Sequence, residues 1–518
     1  MTSTRETKTA GGVTARGGAV AGEPWPAARH AVVVGGGITG LAAALALSRR
    51  GAQVTVLERD ADFAGETASA AFTEWKRTGA PQARHSHVFL GRLRNLLRSE
   101  YPEFLAGLLA AGAREMRATD RPPRPLEGLR PEPGDAELVM LGVRRLTFEW
   151  VLRRHVLETN RVRFLPGVTA CGLEATPGVP PVVTGVRCRE GAEERVLPAD
   201  MVIDASGRRS AAVEWLAAIG APAPHEELEQ SGIVYYTRFY RLRPGASEPV
   251  PGEHPTAGDF HWVKFAVFPA DDGTFSITLA VPLLEPRLKV LAKAAAFDEM
   301  VRAIPGIAPW IAPEVAEPIG DAERSVQAMG GLINRLRRFV TQQGPLAVGF
   351  FVLGDAAYCT NPLYGRGCAQ GFLHAHFLAD AVAASGGDLR AAAVALDQRA
   401  RRAIEPFFRA SVLADRDAVR RAEGRTPRHL RDRWRSKFLE DGVGVAVRCD
   451  PVVFRAMMRM MNMLETPDEA FGHPSVVARS LWALARSKRL KRRFGPPSPP
   501  ERETTIARCE AAAGVAAG

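Results

Sequence analysis

Residues 30–60, HAVVVGGGITGLAAALALSRRGAQVTVLERD, constrain the fold more than any other stretch of the chain. They read as strand, glycine turn, helix and strand. Ala31–Val34 is a short apolar run that suits a buried strand, Leu41–Arg50 is helix-forming, Gly51 ends the helix, and Val54–Leu57 is the second strand with Glu58 at its end. Gly35, Gly37 and Gly40 fall in G-x-G-x-x-G spacing. The three glycines act differently. The first makes the tight turn, the second lets backbone approach a pyrophosphate, and the third lets the helix pack on the strand. The helix start offers free N–H groups and the positive end of its dipole to phosphates. An acid at the distance of Glu58 can accept from both hydroxyls of an adenosine ribose. The unit therefore predicts dinucleotide binding, without separating nicotinamide from flavin dinucleotides.

The remainder of the chain separates them. A nicotinamide dehydrogenase domain would continue in regular βαβ alternation. Here Asp60 is followed by a loop-like stretch, FAGETASAAFTEWKRTGAPQARHSHVFLGRL. A helix and strand then follow in LGVRRLTFEWVLRRHVLETNRVRFL, and RVLPADMVIDASGRRSAAVEWLAAIG gives a buried strand, a small-residue turn and a helix. The apolar run Phe350–Leu353 leads into GDAAYCTNPLYGRGCAQG, a second glycine-studded turn that carries one acid, Asp355, at its start.

Composition excludes several other classes. At 518 residues, with 46% hydrophobic and 24% charged residues, the chain suits a globular protein of more than one domain. Its six cysteines are scattered and form no C-x-x-C pair, which argues against a zinc site or disulfide framework and for a reducing cytoplasm. The first residues lack the apolar core of a signal peptide, and no later run reaches the ~18 apolar residues of a membrane span. A cytoplasmic protein without a transmembrane segment is expected. The formal charge is +11, and the basic run SKRLKRRF at 487–494 reads as a solvated helix end. No nucleic-acid-binding signature accompanies it, so no nucleic-acid partner is expected.

In the middle of the chain, QSGIVYYTRFYRLR reads as a strand, and DFHWVKFAVFPADDGTFSITLAVP as a hairpin that turns at ADDG. Alternation puts Phe260, Trp262, Lys264 and Ala266 on one face and His261, Val263, Phe265 and Val267 on the other. Lys264 reads as a solvated or ion-paired strand residue, with a catalytic group as the alternative. His85 and His87, in RHSHVF, read equally as residues that approach the cofactor or as satisfied loop histidines, and they stand in no metal-ligand spacing. Towards the C-terminus, Met457, Met460 and Met461 share a helical face that suits core packing or an apolar ligand tunnel.

Four segments, the Gly35 turn, the Arg145 helix, VIDASGRRS and VLGDAAYCTNPLYGRG, resemble the glutathione-reductase-type FAD fold. The branch resembled holds aromatic hydroxylases, squalene epoxidase and bacterial flavin epoxidases. PQARHSHVFL, SGIVYYTRFYR and NPLYGRG look like the bacterial epoxidases in particular. The resemblance implies an α/β fold: a Rossmann-like FAD-binding domain with three-layer ββα architecture, an inserted mixed β-sheet substrate domain and a C-terminal helical region. Residues 30–118, 145–225 and 326–385 would form the FAD-binding domain, 119–144 and 226–325 the substrate domain, and 386–495 the helical region. A leader at 1–29 and a tail at 496–518 would be disordered.

The same resemblance implies FAD as cofactor and assigns residues to it. Gly35, Gly37, Ile38, Thr39 and Gly40 would form the turn and helix start that bind the pyrophosphate, and Glu58 and Arg59 would serve the adenosine ribose. Arg145, or Arg144 beside it, would meet the phosphates, and Asp355 would accept from a ribitol hydroxyl. Pro362, Gly365 and Gly367 would border the flavin ring. Aromatic hydroxylases carry an Asp-Gly pair in the third segment, and here Ser206 stands where that Asp would be, with Gly207 after it. This puts direct reduction by NADPH in doubt and makes a separate flavin reductase the expected electron source. The implied activity is a monooxygenase that inserts one oxygen atom from molecular oxygen into a small apolar substrate through a flavin C4a-hydroperoxide. Another flavin oxidoreductase on this fold, a double-bond reductase or halogenase, is the alternative, although the W-x-W-x-I-P run of flavin halogenases is missing. A non-catalytic lipid-binding relative of the Rab-escort kind would be expected to lose the flavin contacts that this chain keeps. No nucleophile–histidine–acid constellation is legible, so no catalytic residue is assigned.

Overall fold

Val32, Val33 and Val56 are fully buried, as strands covered on both faces require. The computed structural model describes residues 29–63, 65–250, 254–321, 325–426, 429–494 and 498–515. The expected leader lies outside these apart from residue 29. In chain order, the elements that place the site are β1 (His30–Val34), α1 (Ile38–Arg49), β2 (Gln53–Glu58), α2 (Arg145–Leu157), β3 (Val162–Pro166) and β4 (Met201–Asp204). They continue with β5 (Ile233–Leu242), β6 (Lys264–Pro269), β7 (Thr274–Pro282), β8 (Phe350–Val352), α3 (Gly367–Ala384) and α4 (Glu405–Ala422).

Five strands form a parallel sheet in the order β8-β4-β1-β2-β3. Val32 lies opposite Thr55 on β2 and Val202 on β4, Phe351 opposite Ile203, and Val56 opposite Phe164. Helices α1 and α3 pack against each other, and small residues such as Ala42, Ala43 and Ala375 let them approach closely. A three-stranded antiparallel sheet, Val168–Thr176, Val182–Glu190 and Glu193–Pro198, packs against β2 and β4. This is the Rossmann-type α/β arrangement, with antiparallel sheets and C-terminal helices added.

The second large sheet is antiparallel and built around β5, β6 and β7, with Arg238 opposite Ile277 and Phe265 opposite Leu279. The hairpin turns as ADDG predicts: Asp272 and Gly273 both have positive φ, 56° and 61°, the pair that a two-residue type I′ turn needs. The expected alternation from Phe260 onward is broken. Phe260 N–H donates to Val263 O, His261 sits at φ 70°, and the strand begins only at Lys264. Val326–Met329, expected within the FAD-binding segments, pairs with β5 and so extends this sheet.

Two further expectations are corrected. The stretch after Asp60 is not simply loop: Ala68–Glu74 is a helix capped by Thr67, and Gly91–Glu100 another. Residues 502–512, expected in a disordered tail, form a helix whose Ile506 and Cys509 are buried in the core beneath β5–β7, beside Phe297 and Met300. The apolar face of that helix gains a partner more than 200 positions upstream, which local composition does not reveal. Most of the described chain from 389 to 494 is helical, and among the described residues no helix is long and apolar enough to cross a membrane.

Candidate active site

Strands β1, β2, β4 and β8 all end on one edge of the parallel sheet, where a doubly wound fold leaves its crevice. Gly35 turns there at φ 103°, and a Cβ on it would lie 2.8 Å from Ala205 O. At Gly40 a Cβ would lie 1.8 Å from Gly35 O, so helix and turn approach too closely for any side chain. No side chain caps the start of α1 at Gly37, which leaves its first N–H groups to whatever enters the crevice. Ile38 is buried, and Thr39 fills the crossing of α1 with α3, so that a Cβ on Gly371 would strike its Oγ1.

Glu58 ends β2 inside a charged cluster. Its Oε2 accepts from Gly36 N–H at 3.0 Å and its Oε1 from Asp60 N–H at 2.9 Å. Arg77, from the stretch read as loop, pairs with Glu58 and Asp60 at 3.0 Å each and with Glu149 at 2.6 Å. Burial alone would lower the Arg77 pKa, but the three carboxylates outweigh it and hold the guanidinium firmly charged. Nothing in the local pattern around Arg77 signals this, because its partners lie 19, 17 and 72 positions away by number. Arg59 is exposed at the rim of the crevice.

The two candidate arginines at the start of α2 separate cleanly. Arg144 is bound by Asp271 through its backbone N–H and its guanidinium. Arg145 faces the cavity; among the described residues its guanidinium meets Glu149 at 3.4 Å and the Cys368 sulfur at 3.7 Å, and its buried Nε has no hydrogen-bond partner. A buried guanidinium left this incompletely satisfied fits a site that receives an anionic group. Asp355, in the turn after β8, is raised above the ordinary carboxylate range by burial, an effect opposed by Arg145, Arg208 and Arg335. Beyond it Pro362 is exposed to the cavity, Gly365 takes the left-handed conformation at φ 64°, and α3 begins at Gly367 with no side-chain cap. A Cβ on Gly367 would lie 3.6 Å from Asp355 Oδ1.

Of the residues expected at the cofactor, all but Gly40 and the alternative Arg144 border one cavity of about 2590 Å³. It runs from the glycine turn past β5–β7 to the C-terminal helices, where Phe454, Met457, Met458, Met461 and Phe471 supply an apolar wall. The methionine face is thus divided: Met460 packs into the core and meets Arg366 through its sulfur at 3.7 Å. Lys264 is paired with Asp259 at 3.2 Å, as expected for a strand lysine. Ser206 is turned towards Asp204, whose Oδ1 accepts from its N–H at 2.9 Å and its hydroxyl at 2.5 Å.

The sequence offers His85 as a residue that approaches the cofactor or as a satisfied loop histidine, but it does not show the hydroxyl chain that the structure places around it. Its Nδ1 meets Thr237 Oγ1 at 3.0 Å, and hydrogen bonds continue from Thr237 to Thr278 at 2.8 Å, to Ser86 at 2.6 Å and to Ser276 at 2.7 Å. Burial, reinforced by Arg208, lowers His85 to about 4, so the ring is neutral near pH 7. His87 donates to His85 O and is lowered by burial to about 3. The one local signal is Thr237, a small hydroxyl residue set in the aromatic run Tyr235–Tyr240 of β5. Among the described residues no cluster of His, Cys, Asp and Glu could hold a metal ion.

Comparison with known proteins places this geometry. Residues 30–125 match the family model described as FAD dependent oxidoreductase. Protein Rv3254 of Mycobacterium tuberculosis is 28% identical over 462 residues, covering 84% of this chain and 90% of that protein. Among solved structures, the myxobacterial chondrochloren halogenase CndH superposes with a TM-score of 0.57 at 17% identity, covering 90% of this chain and 99% of its own. The anhydrotetracycline hydroxylase OxyS from Streptomyces rimosus gives 0.53 at 17% identity, covering 85% and 76%. The chain carries an FAD-dependent oxidoreductase domain, its cofactor is FAD, and its fold is the one shared by flavin-dependent hydroxylases and halogenases.

Proposed function

We propose that the protein is an FAD-dependent monooxygenase that inserts one oxygen atom, by hydroxylation or epoxidation, into a small apolar molecule. The observation that carries this reading is the continuous cavity that joins the glycine turn and the Asp355 turn to the apolar wall of Phe454, Met457 and Met461. A compound seated there is enclosed beside the cofactor crevice rather than held on an open face.

In this reading Gly35, Gly37, Ile38, Thr39 and Gly40 present the start of α1 to the pyrophosphate, with Arg145 as its cationic partner. Glu58 and Arg59 serve the adenosine ribose, and Asp355 accepts from the ribitol chain. Pro362, Gly365 and Gly367 border the ring system, where any larger backbone or side chain would obstruct it. FAD supplies the two-electron chemistry that activates molecular oxygen and passes one atom on. The chain itself binds, orients and excludes water. With His85 Nδ1 held by Thr237, Nε2 is the nitrogen left to exchange a proton with a substrate hydroxyl, and the Thr237–Thr278–Ser86 hydroxyls can relay it. Ser206, in place of an acid, supports a separate flavin reductase as electron source.

The test is an incubation of the holoprotein with a reductase, NADH and a panel of apolar polyketide, terpenoid and aromatic compounds under ¹⁸O₂. One labelled atom in a product is expected. Halide-dependent product, or hydrogen addition without label, would replace this reading by a halogenase or a double-bond reductase.

A further inference from the structure

The loop from Asn361 to Arg366 is held at both ends by one face of α4, a helix outside the two large sheets. At the near end Asn361 is a fully engaged hub. Its N–H donates to Asn334 Oδ1 at 2.8 Å, and its Oδ1 accepts from Tyr235 hydroxyl at 2.6 Å and from Leu363 N–H at 3.0 Å. Its Nδ2 donates to both oxygens of Asp415, at 3.0 and 3.1 Å, while Asn334 Nδ2 donates to Asp415 Oδ2 at 2.7 Å. At the far end the Arg366 guanidinium donates to Phe407 O at 3.1 Å and Ser411 Oγ at 2.9 Å, and stacks over the Phe407 and Tyr364 rings. Phe407, Ser411 and Asp415 are spaced four apart, one stripe along α4. Between the two anchors lie Pro362, Leu363, Tyr364 and Gly365, all on the cavity wall.

Asp415 is 4% exposed and, among the described residues, has no ion-pair partner within 4.0 Å. A buried carboxylate without a cation is costly, and burial raises its pKa against the opposing hydrogen bonds from Asn334 and Asn361, with smaller effects of Lys264, which lowers it, and Glu229, which raises it. What the carboxylate does that an amide cannot is accept at every site. Facing two side-chain NH₂ groups, it forces both to point towards it. That turns Asn361 Oδ1 towards Tyr235 and Leu363, and so fixes the direction in which the loop leaves Asn361. An amide at 415 would present its own NH₂ to one of those donors and break the arrangement.

We propose that Asp415 is a positioning residue that acts through Asn361 to set the Pro362–Gly365 loop, with Arg366 as the second anchor. The proposal rests on the reading that this loop borders the flavin ring. It gives α4 a place in the chemistry: Leu413 and Ala414, beside the anchoring stripe, line the cavity, so one helix both lines the cavity and supports the loop.

The experiment compares holoproteins of wild type, Asp415→Asn, Tyr235→Phe and, as a control on the exposed side of α4, Arg416→Ala. Each is assayed for FAD content, thermal unfolding, visible flavin spectrum and the rate at which the dithionite-reduced protein is reoxidised by air. Asp415→Asn should keep its FAD but show a displaced flavin band and a reoxidation rate changed by roughly tenfold, the scale of a displaced positioning group. Tyr235→Phe, which removes one bond to Asn361, should move both in the same direction by less and serves if Asp415→Asn does not fold. Arg416→Ala should match wild type. A wild-type spectrum and rate in both Asp415→Asn and Tyr235→Phe would overturn the proposal. Asp355→Ala run alongside separates the two claims: if it loses FAD while those variants stay wild-type, only the positioning role fails, and if it retains FAD fully, the placement of the cofactor fails with it.

Discussion

Asp271 holds Arg144 by three hydrogen bonds, from its backbone N–H at 2.7 Å, its Nε at 2.9 Å and its Nη2 at 2.6 Å. Both residues are buried, and Thr147 also donates to Asp271 Oδ2 at 2.8 Å. The pair ties the start of α2 to the β6–β7 turn and leaves Arg145 to face the cavity. Arg144→Ala strands a buried carboxylate and should destabilise the protein by about 3–5 kcal/mol, seen in urea unfolding. Arg145→Gln should leave unfolding near wild type and weaken FAD binding. The reverse pattern would exchange the two roles.

Asp355→Ala should weaken FAD retention without unfolding the chain. One hydrogen bond to a charged acceptor is worth about 1.5–3 kcal/mol, or roughly ten- to a hundredfold in affinity. Fluorescence titration of apoprotein with FAD measures it, and unchanged affinity would remove Asp355 from the site.

His374 on α3 accepts the Gly354 N–H on its Nδ1 at 3.2 Å, immediately before Asp355. Burial lowers its pKa to about 3, from 6.5. Below pH 6.5 the unfolded chain takes up a proton that the folded ring refuses. The stability due to the neutral ring is therefore complete above that pH and is lost as pH falls towards 3. Measured as the difference in unfolding free energy between wild type and His374→Gln, the wild-type advantage should shrink by about 3 kcal/mol over roughly two pH units of acidification below the unfolded pKa. A difference that does not change with pH would mean that the ring is protonated in the folded state.

Ser206 donates to Asp204, and no carboxylate stands at its position. Anaerobic mixing of holoprotein with NADPH or NADH should bleach the flavin slowly, and addition of a generic flavin reductase should make bleaching fast. Rapid reduction by NADPH alone would contradict the need for a partner and leave the monooxygenase reading in place.

What is legible in the sequence is local. Gly35, Gly37, Gly40 and Glu58 sit within one βαβ unit, and the Asp272–Gly273 turn declares its own conformation, so spacing alone exposes both. The Met457 face is readable as a helix face, but periodicity does not distinguish core from cavity wall, and the structure divides it between them. The Arg77 cluster, the His85 hydroxyl chain and the Asp415–Asn361 contact join residues from different elements, up to 192 positions apart in the case of Ser86 and Thr278. Such contacts are made only when the sheets and helices dock, and no local spacing pattern reveals them. The helix at 502–512 escapes a local reading for the same reason, since its burial depends on Phe297 and Met300.

The central claim is that FAD is held non-covalently between the Gly35 turn and the Asp355 turn, and acid release tests it most directly. The purified holoprotein is denatured with acid, the precipitate removed, and the supernatant resolved by chromatography, with Asp355→Ala treated in parallel. All yellow colour should appear in the supernatant as FAD, near one equivalent per chain for wild type and clearly less for Asp355→Ala. Colour that stays with the precipitated polypeptide, recovery of NAD in place of FAD, or equal FAD in both proteins would contradict it.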